Sequence, residues 1–400
     1  MKARKDSTSI RQENIGLVLG AILQEHEGIS RADISKTTGL TRATVSRLVE
    51  ELLDAQILEE LAPVYPPTGR PALPLVVKKG KQCAIGVEIN LEYVAVQIID
   101  IAGNTLFEDK KTVDLRNSEP ETVLRKLSAT IESYLTNTDL DILSVVLCIP
   151  GLVAEDAQTI LTAPNLGWHN VHPIAHLSFP GFEENRCFVM NEADAAAYAF
   201  LYARPGVLTG MKNFLYLSAE VGVGAAIVVN GRVFTGSRGW AGEIGHICVN
   251  LTGPQCRCGS NGCLEQYVGF DALVSRAQLP HGTDMETLCR MFDDRHDSVR
   301  RAIDEGALAL GSTIANVLNL LDLDTVILGG NFAKLYSRME IVLKSEIEYR
   351  ALGRRWANVT LETSTYAHYG ATRGGCMRSL SSILENPARW DANGIPTSFP

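Results

Sequence analysis

The chain has 400 residues, of which 46% are hydrophobic and 21% are charged, and this predicts a folded protein of two or three domains. Composition excludes a membrane-spanning protein, because no window approaches the roughly 18 consecutive apolar residues of a membrane helix. The basic N-terminus is not followed by the apolar core of a secretory signal, which favours a cytoplasmic location. The net charge is −9, yet residues 1–49 carry 8 basic and 5 acidic groups. A mildly basic head on an acidic body is typical of a nucleic-acid-binding module fused to another kind of domain.

Residues 10–60 predict three helices. Apolar residues recur at helical spacing across 12–26, which indicates an amphipathic first helix. Ser30 is expected to cap a short second helix over 31–37, and Thr41 to cap a third over 42–53. The tight turn between the second and third helices predicts a helix-turn-helix unit.

The third helix of this head predicts contacts with double-stranded DNA. The first residues of a recognition helix reach base edges in the major groove. The candidates in this position are Thr41, Arg42, Thr44, Ser46 and Arg47. The alternative for the two arginines, taken by themselves, is that they are merely exposed to solvent.

Two short strands after the third helix predict a wing. Residues 57–61 and 73–77 are the strand candidates, and the tip between them contains Arg70 within a Thr-Gly-Arg-Pro run. An arginine at such a tip can enter a narrow minor groove, where the negative potential is enhanced. The alternative is an ordinary hairpin turn. The head is therefore predicted to be a winged helix-turn-helix domain over residues 1–80.

Residues 81–385 alternate β-like runs with helical segments. The strand candidates are 84–89, 94–99, 105–112, 143–149, 214–217, 224–229 and 325–328, and the helix candidates are 120–134, 304–321 and 370–384. Strands and helices in two similar halves predict an α/β domain with two lobes and a cleft. Residues 386–400 form a predicted tail to which no role is assigned.

One histidine and three cysteines lie at metal-ligand spacing. They are His246, Cys256, Cys258 and Cys263, in the pattern H-x9-C-x-C-x4-C. One imidazole and three thiolates form a closed tetrahedral site, which is typical of structural rather than catalytic Zn²⁺. The alternatives are a redox-active cysteine cluster and buried free thiols.

The stretch from Glu243 to Glu265 resembles the signature of the ROK family (repressors, open reading frames and kinases). It reads Glu-Ile-Gly-His and then Cys-x-Cys-Gly-x-x-Gly-Cys-x-Glu. The runs 162–168 and 191–197 resemble the sugar-side loop and the catalytic segment of that family. The resemblance covers nearly the whole chain. It implies a two-lobed actin-like ATPase fold of the sugar-kinase type, preceded by a winged helix-turn-helix domain.

The same resemblance implies a sugar site. The residues that match the sugar-binding positions of the family are Asn165, Asn191, Glu192, Glu243, His246 and Glu265. Carboxylates accept hydrogen bonds from pairs of sugar hydroxyls, and an Asn side chain both donates and accepts. His246 is then expected to bind zinc through one ring nitrogen while the other faces the sugar.

The ATP-binding loops of the family kinases are altered in this chain. Where those kinases have a glycine-rich phosphate loop, residues 86–93 read Gly-Val-Glu-Ile-Asn-Leu-Glu-Tyr, and Glu92 adds a negative charge. The second phosphate loop, 219–224, is partly retained but contains Glu220. Phosphoryl transfer depends on positioning and on charge neutralisation, so these changes argue against kinase activity.

The sequence therefore predicts a sugar-responsive transcription repressor that is not an enzyme. It is expected to bind a palindromic DNA operator as a homodimer or homotetramer, and to be released by a sugar effector. Glu192 stands where the family kinases have Asp, and its longer side chain favours a pentose such as xylose. Two alternatives stay open: an ATP-dependent sugar kinase, and a regulator that responds to a protein partner.

Overall fold

The computed structural model describes residues 7–65, 71–355 and 358–385. Within these residues no helix is both long and apolar enough to cross a bilayer. The head consists of α1 Ser7–Gln24, α2 Arg31–Thr38, α3 Arg42–Asp54, β1 Leu58–Glu60 and β2 Leu75–Val77. The three predicted helices are confirmed, although the first begins earlier than expected. The two wing strands pair antiparallel, with Leu58 opposite Val77.

The head is held together by one apolar core. The side chains that α1 and α3 bury are spaced three and four residues apart, as an amphipathic helix requires. They include Leu19, Ile22, Val45, Leu48 and Leu52, each no more than 2% exposed.

Two compact units make up the described chain. The first comprises the described residues up to Met190, together with 198–209 and 371–385, and the second comprises 191–197 and the described residues of 210–370. The domain boundary predicted after residue 80 lies within the first unit and stays a prediction. The head contacts its neighbours in the first unit; for example, the Gln82 side chain donates a 2.9 Å hydrogen bond from Nε2 to the Ala55 carbonyl at the end of α3.

The first unit contains a five-stranded sheet. Its elements are β3 Gln82–Ile89, β4 Tyr93–Asp100, β5 Thr105–Thr112, α4 Pro120–Leu135, β6 Asp141–Ile149, β7 Leu152–Val153, β8 Ile160–Ala163, β9 Trp168–Val171 and β10 Cys187–Asn191. The strand order is β10-β6-β3-β4-β5, with β3 antiparallel to β4 and parallel to β6. Strand β3 is buried along its whole length, whereas the edge strand β5 is largely exposed and carries charged residues.

Helix α5 Glu192–Leu201 then carries the chain from the second unit into the first. The next elements are β11 Tyr202–Arg204 and β12 Val207–Leu208.

The second unit repeats the arrangement of the first. Its elements are β13 Phe214–Ala219, β14 Val223–Val229, β15 Arg232–Val233, α6 Glu265–Val268, α7 Phe270–Arg276, α8 Met285–Asp293, α9 Asp297–Leu321, β16 Thr325–Gly329, α10 Gly330–Arg350 and β17 Thr360–Thr363, and α11 Gly370–Glu385 begins there. The strand order is β15-β14-β13-β16-β17. As in the first sheet, an antiparallel three-stranded meander is followed by a parallel strand beside its first strand. Two similar α/β halves were predicted from the sequence, and this prediction is confirmed.

Candidate sugar site, metal cluster and DNA-binding helix

The start of β14 gathers most of the predicted sugar-binding residues. Gly245 packs so closely here that an added Cβ would lie 2.5 Å from the Val223 carbonyl oxygen, so a side chain at 245 would push the Glu243–His246 turn away. On the other side, the Val223 amide donates a 3.4 Å hydrogen bond to Oε2 of Glu265. The two segments that carry the family signature are therefore fixed against the same strand end.

Helix α5 brings Asn191 and Glu192 to this strand end. The Asn191 Oδ1 atom accepts hydrogen bonds from the amides of Ala193 at 2.8 Å and Asp194 at 3.3 Å, so Asn191 is held in place by the helix that it starts. Glu192 Oε1 lies beside Gly224, 3.9 Å from the position that a Cβ there would occupy.

Asp194 is a buried carboxylate at this site that the sequence reading did not select. It is 8% exposed and lies in the first turn of α5. Burial, and then the nearby charge of Glu243, raise the pKa of Asp194 to about 7. Burial also raises the pKa of Glu243; His246 opposes this change and Glu265 adds to it. Raised carboxylate pKa values are characteristic of sites that bind or process ligands.

The Asp194→Asn variant is expected to be more stable than the wild-type protein at pH 8. The folded-state pKa of about 7 is above the ordinary value of 3.8, so the folded protein binds the extra proton between these pH values. Stability contributed by the protonated form is therefore lost as the pH rises from about 4 through 7, by up to about 4 kcal/mol. Asparagine stays neutral and avoids this loss. Urea unfolding at pH 5 and pH 8 measures the difference, with the exposed Asp271→Asn as control; equal stability of Asp194→Asn and wild type at pH 8 would contradict it.

The four predicted metal ligands come together. The ligand atoms of His246, Cys256, Cys258 and Cys263 all lie within 4.8 Å of one another. Nδ1 of His246 is 3.8 Å from Sγ of Cys256, and Sγ of Cys258 is 3.7 Å from Sγ of Cys263. Three thiol groups and one imidazole at this separation are a donor set that can hold a metal ion.

The His246 ring lies between this cluster and Glu243 of the candidate sugar site. Its Nδ1 atom faces Cys256, whereas its Nε2 atom is 3.9 Å from Oε2 of Glu243. This orientation is compatible with the double role predicted for His246, in which one nitrogen binds the metal and the other faces a ligand.

Asn165 belongs to the first unit, whereas the other predicted sugar-binding residues belong to the second. It lies half-buried in the turn between β8 and β9. That turn is anchored by Trp168, whose Nε1 donates a 2.8 Å hydrogen bond to the Ser118 carbonyl.

Residues 86–93 of the first unit stand where the family kinases have their first phosphate loop, and side chains fill this segment. Glu88 is 5% exposed and accepts a 2.6 Å hydrogen bond from the Tyr93 hydroxyl. Lys110 in turn lies over the Tyr93 ring, with Nζ 4.4 Å from its centroid. Oε1 of Glu92 lies 3.5 Å from Nη2 of Arg116. The Glu-Tyr pair therefore replaces an open, glycine-rich cradle.

In the second unit, Glu220 lies over the N-terminus of α10. A Cβ on Gly330, the first residue of that helix, would lie 2.8 Å from Oε1 of Glu220. The loop is fixed by Asn331, whose Nδ2 donates a 3.4 Å hydrogen bond to the Glu220 carbonyl. A carboxylate at this helix N-terminus opposes the binding of phosphate at the same place.

The N-terminal end of α3 presents the predicted DNA-binding residues to different extents. Thr41 caps the helix by accepting a 3.2 Å hydrogen bond from the Thr44 amide, and the two threonine hydroxyls are 2.9 Å apart, which leaves Thr44 partly buried. Arg42 and Ser46 are exposed. Arg47 is also exposed and pairs with Glu51 at 3.0 Å. Arg70, the predicted residue at the tip of the wing, lies outside the described residues.

Comparison with known proteins agrees with this arrangement. The chain matches the ROK family over residues 84–378 and a winged helix-turn-helix DNA-binding family over residues 21–59. The xylose repressor of Caldicellulosiruptor bescii is 29% identical over 399 residues, which cover 95% of this chain and 98% of that protein. The DNA-binding transcriptional dual regulator NagC of Escherichia coli is 25% identical over 366 residues and covers 88% of each chain.

Solved structures show the same fold. A ROK family transcriptional regulator, described as a homologue of the E. coli MLC protein, superposes with a TM-score of 0.75 at 24% identity and covers 96% of this chain and 98% of its own. A ROK family glucokinase from Streptomyces griseus, in complex with glucose and AMPPNP, gives a TM-score of 0.62 at 22% identity and covers 74% of this chain and 98% of its own. These matches confirm the predicted actin-like ATPase fold with a winged helix-turn-helix head. The chain is a member of the ROK family.

Proposed function

We propose that this chain is a DNA-binding transcription repressor whose operator affinity is controlled by a sugar. One observation carries the proposal: a helix-turn-helix head is joined to a carboxylate-lined site in a domain whose two phosphate loops are blocked by Glu88 with Tyr93 and by Glu220. Such a domain retains the means to recognise a sugar and lacks the means to hold ATP. The relatives named repressors, matched over nearly their whole length, support the same function.

The metal in this proposal is zinc, and its role is structural. His246, Cys256, Cys258 and Cys263 would supply all four ligands of a tetrahedral Zn²⁺, which would leave no position for a reacting water. Bound there, zinc would fix the loop and the His246 ring, whose Nε2 atom lies 3.9 Å from Oε2 of Glu243. The sugar hydroxyls are then bound by Asn191, Glu192, Glu243 and Glu265 of the second unit. Asn165 of the first unit stays a predicted sugar ligand.

The effector we propose is an aldopentose, with D-xylose as the first candidate. Glu192 is one methylene longer than the Asp of the family kinases, and its carboxylate occupies space beside Gly224. A shorter sugar fits more easily against the longer side chain. The similarity to xylose repressors supports this choice.

The head reads the DNA through the N-terminal end of α3 and through the wing, including Arg70. A palindromic operator is matched by a protein with two-fold symmetry, so we propose a homodimer, or a homotetramer built from dimers, acting in the cytoplasm. ATP-dependent sugar phosphorylation is the less favoured alternative. The ROK glucokinase match shows a shared fold and carries no argument for activity.

A thermal-shift panel of aldoses and N-acetylated sugars on the zinc-loaded protein tests the sugar part of this proposal. A sugar at about one hundred times its Kd should stabilise the protein by roughly 2.7 kcal/mol, which is several degrees in Tm. We expect the largest shift with D-xylose and none with ATP. A panel without any shift would instead favour a regulator that responds to a protein partner, and a hexose shift well above that of xylose would exclude the pentose.

Replacing Arg42 by alanine is expected to weaken DNA binding without changing sugar binding. Arg42 is exposed in the first turn of α3, where a recognition helix meets bases or phosphates. Loss of a base contact costs about 1–3 kcal/mol, and loss of a phosphate contact lowers the salt slope by about one. Fluorescence anisotropy over a salt series separates the two. Arg125→Ala, at an exposed position in α4, is the control; unchanged binding by Arg42→Ala at every salt concentration would remove Arg42 from the interface.

A further inference from the structure

The C-terminal end of α1 in the head rests on a turn formed by residues 204–206, here called the docking turn. Arg204 Nη2 donates a 2.5 Å hydrogen bond to the Leu23 carbonyl in the last turn of α1. A cation at this end of a helix satisfies an unpaired carbonyl and complements the helix dipole. The docking turn thus fixes the orientation of a helix that packs directly on the DNA-binding helix-turn-helix.

Gly206 allows the docking turn to approach Leu23 of α1 closely. It has a φ of +74°, and a Cβ at this position would lie 2.7 Å from Cδ1 of Leu23 and 3.8 Å from Cδ1 of Leu384. Its amide donates a 2.8 Å hydrogen bond to Oγ of Ser381. Leu384 and Ser381 belong to α11, so the docking turn joins the head to this helix as well.

Two helices connect the docking turn to the second unit. Helix α5 starts at the carboxylate site with Asn191 and Glu192 and runs into β11, which ends at Arg204. Helix α11 starts at Gly370, where an added Cβ would lie 3.6 Å from the Cβ of Ala196 in α5. Further along, the Arg378 guanidinium of α11 lies 5.6 Å from the centre of the Tyr198 ring of α5. The two helices therefore contact each other in the middle of α5, at Ala196 and Tyr198.

We infer that Arg204 and Gly206 are positioning residues that transmit sugar occupancy to the DNA-binding head. A sugar held by Asn191 and Glu192 acts on the first turn of α5. A rigid helix passes a change at its first turn to its last, and the docking turn passes it to α1 through the Leu23 contacts. This inference rests on the proposed function and names the route by which that function is regulated.

The test compares DNA binding with and without D-xylose in full-length, zinc-loaded protein. The probe is the tightest duplex of about 30 base pairs selected from a random pool by the wild-type chain, a length that spans two half-sites. The variants are Arg204→Met, which keeps the apolar stem and removes the donor, and Gly206→Ala. Their controls are Arg232→Met, at an exposed arginine of β15, and Gly210→Ala, where φ is also positive (+95°) but an added Cβ meets nothing within 4 Å. Xylose affinity is measured separately by calorimetry.

We expect xylose to weaken DNA binding about 5-fold or more in the wild type and both controls, and less than about 2-fold in Arg204→Met and Gly206→Ala. Xylose affinity should stay within about 2-fold of wild type in all four variants. A purely structural role would lower DNA affinity equally with and without xylose, and that result would overturn the inference. If Gly206→Ala fails to fold, Arg204→Met decides the matter alone. If xylose binds the wild type but leaves its DNA affinity unchanged, the proposed function itself fails, and the inference fails with it.

Discussion

Replacing Cys263 by serine is expected to release the bound zinc and to destabilise the second unit by about 4 kcal/mol or more, as loss of a structural metal does. Cys263 is fully buried, and burial raises the pKa of its thiol above the ordinary value. A buried thiol loses its proton at neutral pH only when a bound cation stabilises the thiolate. Zinc in turn binds the thiolate, so removal of Cys263 should also remove the ion. Glu265 lies two residues beyond Cys263, and Glu243 lies three before His246, so sugar affinity should fall together with stability.

The measurements are the zinc content by mass spectrometry, the Tm, and xylose binding. Cys289→Ser is the matched control, because Cys289 is a partly exposed cysteine of the same unit in α8. We expect the control to keep one zinc per chain and the wild-type Tm. A Cys263→Ser protein with a full complement of zinc, or with unchanged stability after metal loss, would contradict a structural zinc site.

The Glu243→Gln variant is expected to bind xylose about 10- to 150-fold more weakly and to keep its affinity for DNA. Glu243 lies 3.9 Å from Nε2 of His246, in the turn that Gly245 fixes against β14. A hydrogen bond to a charged group is worth about 1.5–3 kcal/mol, and glutamine replaces the charged acceptor by a neutral one of the same size. A repressor of this kind would stay on its operator in the presence of sugar.

Glu362→Gln is the control for this change, since Glu362 is exposed in β17 of the same unit. Calorimetry with xylose and anisotropy with the selected duplex measure the two affinities. If Glu243→Gln bound xylose as tightly as wild type, the proposed sugar site would have to lie elsewhere.

The strands and helices with a strong apolar period were predictable from the sequence. Strand β5 has the predicted bounds because the Gly103-Asn104 turn sets its start, although none of its residues is fully buried. Helices α4 and α11 each extend one residue beyond their predicted ends. Helix α4 starts at Pro120 and buries residues at helical spacing, and α11 is buried along nearly its whole length. Helix α9 begins seven residues before its predicted start. Helix α10 was not predicted. Its exposed side carries the apolar residues Ile341 and Tyr349, which disrupt the amphipathic pattern in the sequence. Its buried side packs against α9, a contact that the local sequence does not reveal.

The metal ligands were predictable because chain spacing alone brings them close. Tertiary contacts decided the rest of the site. Asp194 is only 8% exposed although it is a carboxylate in the first turn of a helix, and local sequence does not reveal this burial. The Tyr93 hydroxyl donates a hydrogen bond to Glu88 across the turn between β3 and β4. The sequence showed that this loop lacks the glycines of the family kinases, but it did not show that the Tyr93 side chain fills the loop.

Sugar control of DNA binding is tested most directly by the affinity of the full-length, zinc-loaded protein for its selected duplex, measured at one fixed salt concentration with and without D-xylose. A sugar-controlled repressor binds the duplex tightly when free and loses about 5- to 150-fold in affinity at saturating xylose, the range of a coupling free energy of about 1–3 kcal/mol. DNA binding that is the same at every xylose concentration, in a protein shown to bind xylose, would contradict a sugar-controlled repressor.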